Sequence, residues 1–177
     1  MSGRLHVMTK SGRLLFGCME AALKQVRQIA YEGENMCRIG QVVVVSINHR
    51  LNVLGYCDLS DFGEEYQNSG NAGTEDIIAA LRWIRENIAK FGGDPINVTL
   101  IGQSGGGAKI TTLLQTPAAD GLYAKGINMS GVVDELLPDC EGSGKALVQA
   151  MLNELGLNGV KELETVPYDR LADAYKK

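Results

Sequence analysis

The sequence predicts an α/β fold with a mostly parallel sheet flanked by helices. Three observations predict it. Val42 to Ile47 is a run of β-branched residues without polar alternation, as a strand covered on both faces is, and Asn97 to Ile101 is expected to be a second buried strand. Between them, Thr74 to Phe91 places Ile77, Leu81, Ile84 and Ile88 on one stripe at helical spacing. The order strand, helix, strand, helix, strand continues through Ile127 to Met129, which suits parallel strands joined by crossover helices.

Taken in order, Arg4 to Met8 and Arg13 to Phe16 flank Thr9-Lys10-Ser11-Gly12, a turn that suggests a hairpin within residues 1–17. Cys18 to Ala30 has helical spacing at Leu23, Val26 and Ile29 or Ala30. The strand at Val42 opens a core segment, 41–131. Gly55 to Gly73, rich in glycine, asparagine and acids, is expected to be a long surface loop. In the Thr74 helix, Arg82, Arg85, Glu86 and Lys90 face water. Gly92-Gly93 stops this helix, and Asp94-Pro95 keeps it from restarting. From Ser104 a further helix carries Ile110, Leu113 and Leu114 as far as Pro117. Beyond Ser143 the pattern turns wholly helical: Leu147, Ala150, Met151 and Leu155 mark one helix closed by Gly156, and Tyr168 to Tyr175 another. The expectation is a single domain over 1–177, with 144–177 as its helical segment.

Composition excludes several classes. A formal net charge of −4, with lysine and arginine scattered, gives no basic face for nucleic acid. The longest aliphatic run, Val42 to Val45, is far short of a membrane span. Met1 to Lys10 has no apolar core of the kind a signal peptide needs. Cys18, Cys37, Cys57 and Cys140 form no C-x-x-C pair, so reduced thiols in a cytoplasmic protein are expected, with no metal or organic cofactor.

The chemistry lies in Val98-Thr99-Leu100-Ile101-Gly102-Gln103-Ser104-Gly105-Gly106-Gly107, which sets a serine between a buried strand and a helix. Turning from strand straight into helix at a serine strains its backbone and crowds the residues two before and two after it. Both must be small, and here they are Gly102 and Gly106. The Ser104 hydroxyl then stands at the carboxyl edge of the sheet, as a nucleophile would. The Gly105 N–H and the positive end of the helix supply half of a hole for an oxyanion. A phosphate-binding loop, G-x-x-x-x-G-K-[ST], uses similar glycines, but Ala108 intervenes before Lys109, and Ile110 stands where a metal-binding hydroxyl is needed.

With these elements in place, the sequence resembles the type-B carboxylesterase and cholinesterase family, bacterial para-nitrobenzyl esterases in particular. The resemblance rests on QVVVVSINHRLNVLGY (Gln41 to Tyr56), NSGNAGTEDIIAA (Asn68 to Ala80), LRWIRENIAKFGGDPINVTLIGQSGGGAK (Leu81 to Lys109) and LYAKGINMSG (Leu122 to Gly131). ALVQAMLNELGL continues it more faintly. It implies a partial α/β-hydrolase fold and a serine hydrolase of small carboxylic esters, with Ser104 as nucleophile and Gly105 as oxyanion donor. Gln103 stands where many relatives carry glutamate.

The departures from that pattern bear on activity. The family's H-G-G-G oxyanion loop belongs just upstream of Tyr31, where Met19 to Ala30 contains no glycine. The triad acid and histidine follow the serine in such folds. After Ser104 there are acids (Asp134, Glu135, Asp139 and Glu154 among them) but no histidine, so neither triad partner is identifiable. His6 and His49 both precede it and are expected to be structural. The strand before the oxyanion loop, which lies between the Val42 and Val98 strands, is expected to be missing, and the chain to be a truncated or internally deleted member. An esterase lacking its base is one expectation, and a non-catalytic interaction module or inactive fragment of the same fold the other.

Overall fold

The computed structural model describes residues 6–8, 14–17, 33–132 and 144–176. Its strands are β1 (His6–Met8), β2 (Leu14–Gly17), β3 (Val43–Ser46), β4 (Val98–Gln103) and β5 (Lys125–Met129). Its helices are α1 (Gly33–Gly40), α2 (Asn52–Tyr56), α3 (Ala72–Asn87), α4 (Gly105–Leu114), α5 (Gly144–Leu155) and α6 (Tyr168–Lys176). The α/β class is as the sequence predicts. The described residues fall into two compact units, one within Met1–His49 and Thr74–Asp134, the other within Arg50–Gly73 and Glu135–Lys177.

The first unit holds a five-stranded sheet in the order β1-β3-β2-β4-β5. β3, β2, β4 and β5 run parallel, and β1 lies antiparallel on the outer side of β3. The expected hairpin is not formed, because β3 sits between β1 and β2. β2 instead pairs on both edges: Leu14 is in register with Val43 on one side and Val98 on the other. A local hairpin would satisfy only one edge of β2 and leave β3 and β4 facing each other with open ladders. The inner position closes both. The strand expected to be missing between β3 and β4 is therefore supplied by Leu14–Gly17. The expected helix over Cys18 to Ala30 lies outside the described residues.

α3 covers this sheet. Ile77, Leu81, Ile84 and Ile88 are fully buried with Val43, Val45, Val98 and Leu100 in one cluster. Each such side chain removes apolar surface worth about 1.5–3 kcal/mol from water. Arg82, Arg85, Glu86 and Lys90 are exposed, as the helical spacing implies. The helix tightens into a last turn over Ile88–Phe91 and ends at Gly92, whose φ of 79° a side chain would resist. β4 buries alternate residues and passes into α4, which buries Ile110 and Leu113. β5 differs from the inner strands, because Lys125, Gly126 and Ile127 are all exposed.

In the second unit, the Gly55 to Gly73 stretch is organised into single 3-10 turns at Ser60–Phe62, Glu64–Tyr66 and Ser69–Asn71. Cys57 packs there with Val148 and Leu152 of α5. Met151 of α5 meets Leu171 and Ala174 of α6. The buried face of α5 is thus Val148, Met151 and Leu152, whereas Leu147 and Ala150 are exposed. Among the described residues, no helix is long and apolar enough to cross a membrane.

Candidate active site

The site is the corner where β4 becomes α4. Ser104 is the junction residue, with φ 52° and ψ −120°. That conformation is sparsely populated for an L-residue and stores strain on the order of 1–3 kcal/mol. Its N–H donates to the Met129 carbonyl of β5 at 2.8 Å, and its own carbonyl accepts from the Ala108 N–H at 2.9 Å. Serine at a helix start ordinarily turns its hydroxyl back to cap the first turn. Here no such side-chain cap forms, which leaves the hydroxyl uncommitted to the helix.

The flanking glycines are needed sterically. A Cβ on Gly102 would stand 2.5 Å from both the carbonyl carbon and the oxygen of Gly106, and 3.0 Å from the Gly107 nitrogen. Those are backbone atoms of a helix, so nothing can move aside. Gly105 begins α4, whose first-turn N–H groups have no intrahelical acceptor and carry the positive end of the helix dipole. Ser104 and Gly105 are half-buried, between the core and solvent. The arrangement can present a hydroxyl oxygen beside backbone donors suited to an oxyanion.

The same helix speaks against phosphate binding. Lys109 Nζ turns back to the Gly105 carbonyl at 3.3 Å, and Ile110 is buried in the core. Among the described residues no cluster of three metal-ligating side chains exists.

His49, just beyond β3, is only 9% exposed, and its Nε2 has no hydrogen-bond partner. Burial, reinforced by the Lys109 charge and partly opposed by Asp76, lowers its pKa from 6.5 to about 4. A base so weak is a poor acceptor for a serine proton at neutral pH. The structural role expected for His49 fits that environment. The side chain of His6 lies outside the described residues, as do Asp134, Glu135 and Asp139; Glu154 lies on α5, in the other unit.

Three residues that the sequence did not single out bind the corner to β5. Asn128 Nδ2 donates to the Gly107 carbonyl at 2.9 Å and to Thr111 Oγ1 at 3.0 Å. Thr111 Oγ1 donates to the Gly131 carbonyl at 3.1 Å. Gly131 lies against Gly107 so closely that a Cβ on it would run into the Gly107 backbone. Asn128 Oδ1 is buried without a partner, which costs about 1–3 kcal/mol. No local pattern announces these contacts, since Asn128 and Gly107 are 21 residues apart.

Comparison with known proteins identifies the chain's relatives. The model of the Carboxylesterase family matches residues 17–175. The chain is 43% identical over 146 residues to the para-nitrobenzyl esterase of Bacillus subtilis (strain 168), an alignment spanning 81% of the chain and 29% of that relative. It is 45% identical over 104 residues to Carboxylesterase 3 of Homo sapiens, spanning 59% of the chain and 18% of that relative. An esterase from anaerobic Clostridium hathewayi, described as able to hydrolyse aliphatic aromatic polyesters, superposes with a TM-score of 0.90 at 49% identity, over 98% of the chain and 37% of that structure. A Geobacillus stearothermophilus carboxylesterase superposes with a TM-score of 0.84 at 33% identity, over 98% of the chain and 38% of that structure. The chain therefore spans well under half the length of each of these relatives.

Proposed function

Because the chain belongs to the carboxylesterase family, we propose that it carries the nucleophile of a serine esterase acting on small carboxylic esters. The observation that supports this best is Ser104, held at φ 52° on a glycine-flanked corner with its hydroxyl unused as a helix cap. Ser104 Oγ attacks the ester carbonyl, and the Gly105 N–H stabilises the oxyanion. The alcohol leaves, and water releases the acid from the acyl-enzyme. A histidine would take the serine proton and later return it to the leaving alcohol. No histidine follows position 104, and His49 is too weak a base, so this chain alone lacks that relay. The free, buried thiols of Cys37 and Cys57 are in keeping with a reducing, cytoplasmic setting.

The test is labelling by a fluorophosphonate probe, in which an Oγ–P bond forms as the P–F bond breaks and hydrogen fluoride is released. An adduct on Ser104 that Ser104→Ala abolishes is the expected result. Silence at Ser104, with added imidazole as without it, favours the second reading, a non-catalytic module of the same fold, which the lack of a histidine after position 104 supports.

A further inference from the structure

We infer that Asn128 is a positioning residue for the nucleophile, locking the first turn of α4 onto the end of β5. The inference rests on the hydrolase function proposed above. Four contacts converge on one small region: Ser104 N–H to the Met129 carbonyl (2.8 Å), Asn128 Nδ2 to the Gly107 carbonyl (2.9 Å), Asn128 Nδ2 to Thr111 Oγ1 (3.0 Å) and Thr111 Oγ1 to the Gly131 carbonyl (3.1 Å). The first holds the nucleophile's own backbone. The second and third hold the first two turns of α4, whose leading N–H groups would receive an oxyanion. The fourth closes the loop by returning to the β5 side, where Ser130 turns the chain at φ 54°.

Two further observations separate this cluster from ordinary packing. Gly107 and Gly131 are both required, since a Cβ on either would collide with the other side of the clamp: Asn128 Oδ1 beside Gly107, and the Gly107 backbone beside Gly131. The clamp also keeps Asn128 Oδ1 buried and unpaired. A site serving stability alone would do better with a smaller or apolar side chain there, whereas a donor aimed at the Gly107 carbonyl needs the amide. The clamp thus fixes the distance between Ser104 Oγ and the donors of α4, the quantity on which attack and oxyanion stabilisation both depend.

Hydrogen exchange on the full chain, with and without Asn128→Ala, tests the clamp. The amides of Ser104 and Ala108 are expected to exchange about tenfold faster in the variant, while those of Leu81 and Leu100 in the core keep their protection. Thr111→Val should repeat the effect and Thr111→Ser, which keeps the hydroxyl, should not, so the inference stays testable if Asn128→Ala fails to fold. Asn128→Ala and Thr111→Val should lower the maximal rate of fluorophosphonate labelling about tenfold, Thr111→Ser should not, and the half-saturating probe concentration should stay unchanged in all three. Corner amides that stay as protected as before, or that loosen only together with the core, overturn the inference. Loosened amides with an unchanged labelling rate overturn it as well. If wild-type Ser104 takes no probe, the hydrolase function fails separately, and exchange alone decides whether Asn128 holds the corner.

Discussion

At the scale of single residues, two positions decide most. Gly102 admits no side chain, because the Gly106 carbonyl and the Gly107 nitrogen occupy the space. Gly102→Ala is expected to destabilise the chain by about 3 kcal/mol, the upper end for overpacking against atoms that cannot shift, read as a fall in the denaturation midpoint. His49 makes a pH prediction. Its pKa falls from 6.5 to about 4 on folding, so between those values the unfolded chain binds more protons than the folded one. Stability from this group is complete above about pH 6.5 and is lost as pH falls towards about 4, a loss of about 3 kcal/mol. Urea denaturation at several pH values should show that slope, and His49→Gln should flatten it. A slope unchanged by the substitution would assign the pH dependence to other groups. The glycine requirement was legible beforehand, since the strand-to-helix corner dictates it. The partners of Asn128 were not, because hydrogen bonds across 17 to 21 residues leave no periodic trace in the chain.

At the scale of elements, α3 shows how far periodicity reaches. Its stripe of Ile77, Leu81, Ile84 and Ile88 is wholly buried, and its charged residues are exposed. Leu81→Ala should therefore cost about 2–5 kcal/mol, while Arg82→Ala on the opposite face should stay within about 0.5 kcal/mol. Thermal unfolding of the two variants checks the contrast, and equal effects would mean that α3 does not seal the sheet. Periodicity served less well on α5, where Leu147 and Ala150 fit a helical stripe but Val148, Met151 and Leu152 are the buried face. Adjacent apolar residues offer two nearly equivalent stripes, and only the packing partners choose between them. The extended segment of β2 was read, but its pairing was not, for a different reason. Its nearness to β1 suggests a hairpin, but two parallel ladders with β3 and β4 satisfy both its edges. Pairing between distant strands is invisible to any short window of sequence.

At the scale of the whole molecule, no histidine follows the proposed nucleophile Ser104 within these 177 residues. Losing the general base removes about 10²–10⁴ in rate. Purified chain is accordingly expected to hydrolyse p-nitrophenyl acetate at the background rate, with Ser104→Ala indistinguishable from it. Turnover that Ser104→Ala abolishes would mean the base is supplied in some other way. If Ser104 is a positioned nucleophile with no histidine following it in these 177 residues, added imidazole can stand in for the base. The most direct measurement is the rate at which a fluorophosphonate adduct accumulates on the peptide containing Ser104, followed by mass spectrometry as imidazole is raised near neutral pH. A saturable acceleration of about tenfold or more is expected, confined to Ser104 and absent from Ser104→Ala. No adduct at any imidazole concentration, or adducts spread evenly over other serines, would contradict it.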